Sequence, residues 1–322
     1  MKKVFKIGLI AGALLSCSAI SQADVLTSVK PLGFIASSIA QGVENTQVLV
    51  PPGASPHDYS LKLSDMQKIK SADLIVWVGE DIDAFLAKPI QSVDPAKVIN
   101  IAKIPGVQPL LLKAHHEHFH EEGEEGHQHG HNHSHEHEHG HHHHDVDENG
   151  LSVNWHLWYS PQISRLIAEQ IAEKLTVAYP DKKELIAKNL ADFNQSLSTQ
   201  SDKITAQLAP LKEKGFFVFH DAYGYFNQAY GLNQTGYFTI NPLVAPGAKT
   251  LAHIKEEITE HHVNCLFAEP QFTPKVIESL AKETGAKVGR LDPIGDKVEL
   301  GAGSYAAFLQ ATADSYAQCL GQ

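Results

Sequence analysis

The chain has 322 residues and a formal net charge of −11, from 37 acidic and 26 basic side chains. Much of that charge is local: ten acids fall in 114–150 and three lysines precede residue 24, leaving 27 acids against 23 bases elsewhere. So even a balance excludes a basic face for nucleic acid, and the roughly 260 residues outside those two stretches are ample for two compact domains.

The N-terminus reads as an export signal. Lys2, Lys3 and Lys6 precede an apolar stretch over 7–15, and Ser21-Gln22-Ala23 supplies a small-x-small cleavage site that puts the mature start at Asp24. The apolar stretch is too short to span a bilayer, and nothing later reaches that length. A second reading is lipoprotein processing at Cys17, after Leu14-Leu15-Ser16.

From residue 24 the pattern alternates strand and helix. Strands are predicted over 24–29, 46–50, 74–78 and 97–101, the third a continuous apolar run of the kind buried in parallel sheets. Helices are predicted over 32–40, from a Ser64 cap to residue 69, over 82–86, and over 161–178. Between the last strand and last helix lies a segment of another kind. Residues 115–144 hold fifteen of the chain's 21 histidines: His115, His116, His118, His120, His127, His129, His131, His133, His135, His137, His139, His141, His142, His143 and His144. With Phe119 as its one large apolar side chain, this segment cannot build a core. It is a ribbon of imidazoles, an auxiliary collector of zinc-like metals.

Residues 181–209 contain no Gly or Pro, and Ile186, Leu190, Phe193, Leu197, Ile204 and Leu208 recur on one helical face. This predicts a rigid helix about 43 Å long at ~1.5 Å per residue, lying along the backs of two lobes. The alternation then repeats, with strands over 216–219, 236–240, 263–268 and 287–291 and helices over 223–229, 251–261, 274–284 and 304–320. The expected fold is α/β: two lobes, each a mainly parallel four-stranded sheet flanked by helices, joined by one long helix. The expected boundaries are 1–23 for the signal, 24–179 for the first lobe with an insertion at about 114–150, 180–210 for the connecting helix and 211–322 for the second lobe.

Ligands of open parallel sheets sit beyond the carboxyl ends of the strands. His57, His220, Glu269 and Asp292 fall at such ends, and His156 precedes a helix at the top of the first lobe. Histidines from both lobes imply a metal site in the cleft. Glu269 is the candidate to accept a ring N–H from a ligand histidine, while Asp292, before Pro293, either ligates or begins a turn. His253, His261 and His262 share a predicted helix with Lys255, Glu256, Glu257 and Glu260 and read as surface. Cys265 and Cys319 remain after signal removal, as one disulfide or two buried thiols.

Four stretches carry a family likeness: Gly53-Ala54-Ser55-Pro56-His57-Asp58-Tyr59, Trp155-His156-Leu157-Trp158-Tyr159-Ser160-Pro161, Phe217-Val218-Phe219-His220-Asp221-Ala222-Tyr223-Gly224-Tyr225-Phe226 and Phe267-Ala268-Glu269-Pro270-Gln271-Phe272. Together with the acidic His-rich insertion and the cysteine pair, they resemble the zinc-specific periplasmic solute-binding proteins of ABC importers (ZnuA type, metal-binding cluster A-I family). The resemblance implies two α/β lobes bridged by one helix, with metal ligands at His57, His156 and His220. Manganese-type relatives carry a carboxylate at the third position, so His220 points to zinc. Asp292 matches a C-terminal Asp that ligates in some members. Others use an acid immediately before the first His, where this chain has Pro56, and a water can also complete the tetrahedron. The implied function is capture of periplasmic Zn2+ as cargo and its delivery, by a monomer, to an inner-membrane ABC-type zinc permease. A manganese or other divalent-metal importer component, an adhesin or a metal buffer of the same fold, and a zinc hydrolase are the alternatives. No catalytic residue is expected.

Overall fold

The computed structural model describes residues 24–113, 153–239, 242–243, 246–272 and 275–322. The export signal, the alternative Cys17 and the His-rich ribbon lie outside them. In the first lobe β1 (Asp24–Thr27), β2 (Asn45–Val48), β3 (Leu74–Trp77) and β4 (Val98–Asn100) form one parallel sheet in the order β2-β1-β3-β4. All four residues of β3 are buried, as a strand covered on both faces requires. Helix α1 (Lys30–Ile39) starts with Pro31 in its first turn, where a missing N–H costs nothing, and α2 spans Leu63–Ser71.

Two local expectations are corrected here. Ser64 lies inside α2 and is not its cap. Lys62 holds that position, and its N–H donates to Oδ2 of Asp65 at 2.9 Å. The helix expected over 82–86 is a 3-10 turn, Ala84–Leu86, followed by the single turn α3 (Ala87–Ile90); Pro89 has no N–H to give the Phe85 carbonyl, so the two cannot run as one α-helix.

Helix α4 (Pro161–Ala178) is capped by Ser160, whose Oγ accepts from Ile163 N at 3.2 Å. The connecting helix α5 spans Lys183–Leu208 and buries Ile186, Phe193, Leu197, Ile204 and Leu208, as its periodicity predicts. It also buries Asn189, a polar residue outside that apolar series. The amide of Asn189 donates to the carbonyls of Ile39 and Gln41 at 2.9 Å each and so pairs the exposed end of α1.

In the second lobe β5 (Phe216–His220), β6 (Gln234–Thr239), β7 (Cys265–Ala268) and β8 (Lys287–Arg290) repeat the plan in the order β6-β5-β7-β8, all parallel. Helices α6 (Gly224–Tyr230), α7 (Ala248–Glu260), α8 (Lys275–Thr284) and α9 (Ser304–Leu320) accompany them. A disulfide, Cys265–Cys319, joins β7 to α9.

The chain crosses between lobes through α5, but packing makes a second seam. Helix α9 touches both α1 and α5. The Phe34 and Phe308 rings lie 5.3 Å apart, and Ser38 Oγ donates to Ala302 O at 2.9 Å. One hydrophobic core therefore runs through both lobes, from Val25 and Phe34 to Phe308 and Tyr316. Wide hinge opening would have to break it. Among the described residues no helix is long and apolar enough to cross a membrane.

Candidate metal centre

Three histidines meet where the lobes face each other. His57 comes from the loop after β2. His156 enters the 3-10 turn Leu157–Tyr159 that leads to α4, and His220 is the last residue of β5 rather than the first beyond it. Nε2 of His156 lies 3.4 Å from Nε2 of His57 and 3.2 Å from Nε2 of His220. One ligand atom from each ring falls within 4.8 Å of the others, the only such grouping of three or more His, Cys, Asp or Glu among the described residues. A tetrahedral ion with metal–nitrogen bonds of about 2.0 Å has ligands about 3.3 Å apart. His156 is already at that spacing from both other rings.

Two of the rings are oriented from behind. Nδ1 of His220 donates to Oε1 of Glu269 at 2.7 Å, and Nδ1 of His156 donates to Oδ1 of Asn154 at 3.0 Å. A proton held on Nδ1 leaves the Nε2 lone pair bare and aimed inward. Glu269 and His220 meet because β5 and β7 are hydrogen-bonded neighbours at the point where strand order reverses. Asn154 is itself fixed, its Nδ2 donating to Asp221 O at 2.8 Å.

Burial favours the uncharged form of His57 and His156. Desolvation, reinforced by His220, depresses the His57 pKa to about 3. Desolvation first, then His220 and His57, holds His156 well below the usual imidazole range. Neutral imidazoles are the form that binds metal. The cavity they bound, with Trp158, Gln271, Phe272 and Ile294 also on its walls, measures about 10 Å³. That is space for one small ion or one water, not for an organic substrate.

Asp292 stands apart from the three rings. Its Oδ1 accepts from Gln271 Nε2 and from the N–H groups of Ile294 and Gly295 at 3.0, 3.2 and 3.1 Å, and its Oδ2 from Asp296 N at 2.7 Å. The turn reading of Asp-Pro describes this loop. His253 lies on α7 and His261 caps its end, both beside Glu257, with His262 next in the chain. The fifteen ribbon histidines are outside the described residues. Sequence reasoning missed Asn154 and Gln271. For Asn154 one local signal existed, an amide two residues before a histidine, where a side chain can reach back to its neighbour.

A family model described as "ZnuA: Zinc-uptake complex component A periplasmic" matches residues 25–319. The high-affinity zinc uptake system protein ZnuA of Haemophilus influenzae is 69% identical, with 99% of each chain covered. Its counterpart in Haemophilus ducreyi is 56% identical, over 99% of this chain and 100% of the other. A crystal structure of a ZnuA shares the fold with a TM-score of 0.71 at 24% identity, covering 92% of this chain and 98% of that one.

Proposed function

Because the chain belongs to the ZnuA family of periplasmic zinc-uptake components, we propose that it captures periplasmic zinc between His57, His156 and His220 and hands it to an ABC-type permease. The family is one of solute-binding proteins, so the chain is a carrier of metal and not an enzyme. The observation that carries the site is the convergence of three imidazoles, with Nε2 of His156 at tetrahedral spacing from both others and two of the rings oriented through Nδ1. Imidazole donors suit zinc, whereas manganese favours carboxylate and water. With the Asp292 carboxylate committed to its own turn, a water completes the coordination.

The same reading assigns 1–23 to a cleaved signal in preference to a lipid anchor at Cys17, 24–179 and 211–322 to the lobes, and 180–210 to the connector. The ribbon 115–144 becomes an accessory, weaker zinc collector, and the protein works as a monomer. The test is competition with a chelator after His57→Ala, His156→Ala or His220→Ala. Each variant should lose the tight site, since two fixed imidazoles are too few, and wild-type affinity in any one removes that residue from the ligand set.

A further inference from the structure

We propose that Asp296 is a positioning residue that holds the His57 loop across the cleft and thereby sets how fast zinc leaves; this rests on the zinc-binding reading above. Asp296 closes the 292–296 turn of the second lobe, and the first lobe grips it twice. Gly53 N–H donates to its Oδ2 at 2.8 Å, and Lys30 Nζ donates to its carbonyl at 2.7 Å. Gly53 is only four residues before His57. Between residues 51 and 57 the other bonds donated by backbone N–H groups, from Ala54 to Pro51 O and from His57 to Ser55 Oγ, stay within that segment.

The turn is built to sit at this seam. Gly295 has a φ of +66°, and a Cβ there would lie 2.6 Å from the Phe308 ring and 3.0 Å from the Phe34 ring, one from each lobe. Gln271, a wall of the metal cavity, donates to Asp296 Oδ2 at 3.2 Å and to Asp292 Oδ1 at 3.0 Å. A continuous path thus runs from the cavity wall through Asp296 to the loop that carries His57. Of the three rings His57 alone is not fully buried, which makes it the ring past which an ion enters and leaves.

The clamp is also one that can open. Asp296 Oδ1 is buried with no donor, so part of the gain from Oδ2 is spent on desolvation. The Asp292 carboxylate alongside adds repulsion. A contact held at a modest net gain suits a step that must be undone when the metal is delivered.

The experiment is stopped-flow zinc release from the full mature chain into a fluorescent chelator, paired with equilibrium competition. Asp296→Ala should raise the dissociation rate about tenfold, the scale of one charge-assisted hydrogen bond, with the association rate nearly unchanged. Asp296→Asn keeps an acceptor oxygen for Gly53 and should recover most of the loss. Lys30→Met, which releases the carbonyl grip and removes a positive charge acting on the Asp296 carboxylate, should speed release in the same direction and serves if the Ala variant fails to fold. In a His57→Gln background, where only weak residual binding is left, Asp296→Ala should leave that residual affinity unchanged, because the loop no longer carries a ligand. An unchanged rate in Asp296→Ala alone, or a further loss of residual affinity in the double variant, overturns the clamp while leaving the zinc site standing. Wild-type affinity in His57→Gln alone would instead overturn the zinc-site reading and the clamp with it.

Discussion

Oε1 of Glu269 lies 2.7 Å from Nδ1 of His220, and solvent reaches neither side chain. The carboxylate sits one residue past the end of β7 and the imidazole is the last residue of β5, so the register of two paired strands fixes the contact. Glu269→Ala should weaken zinc binding about 10–100-fold, the usual cost of losing the group that orients a ligand histidine. Glu269→Gln retains an acceptor oxygen and should lose less. Calorimetry with a competing chelator decides the point, and equal affinities would mean that β5 alone aims the ring.

Acid should destabilise the metal-free protein through His57 and His156. The His57 pKa is about 3 in the fold against 6.5 in an unfolded chain, and that of His156 moves the same way. Between those values the unfolded state binds protons that the folded state refuses, so stability is full above pH 6.5 and falls as pH drops toward 3. Urea midpoints of metal-free protein at stepped pH should show the decline, and His57→Gln should flatten it. An equally steep decline in that variant would place the responsible groups elsewhere.

The disulfide should matter for stability and not for zinc. Cys265 and Cys319 are 54 positions apart, and closing a loop of that size is worth at most about 4 kcal/mol through the unfolded state. Both cysteines are buried between β7 and α9, and neither is among the grouped ligands. Cys265→Ser should therefore melt at a lower temperature and bind zinc with nearly unchanged affinity. Loss of the tight site would show that α9 must be tethered for the cleft to form.

Removing residues 115–144 should leave the fold and the tight site intact. The flanks hold each other: Lys113 and Val153 form an antiparallel bridge, and Asn154 N donates to Leu112 O at 2.8 Å. A short linker across that bridge should keep the melting temperature within about 2 °C, as for other surface changes. Zinc titration should lose the weaker, faster-exchanging ions and keep one tight ion. Loss of the tightest ion would transfer the transport site to the ribbon.

Much of this protein could be read from local pattern. Continuous apolar runs mark the central strands and period-3.6 spacing the long helices, because burial is a local demand on each element. The histidines at strand and helix ends stood out because parallel sheets expose their carboxyl ends. Where the pattern misled, neighbours decided. Pro89 cut short a helix whose apolar residues suggested one, and Asn189, polar by type, was buried because the end of α1 needed a donor. Part of the site's supporting cast was decided by tertiary structure alone. Gln271 against Asp292 and Asp296 against Gly53 depend on which loops packing brings together. Asp292 carried two readings in sequence, and the N–H groups of its own turn took the carboxylate. A hydrogen-bond acceptor goes to whichever donors packing brings within about 3 Å. Between residues far apart in the chain, that choice exists only once the lobes have met.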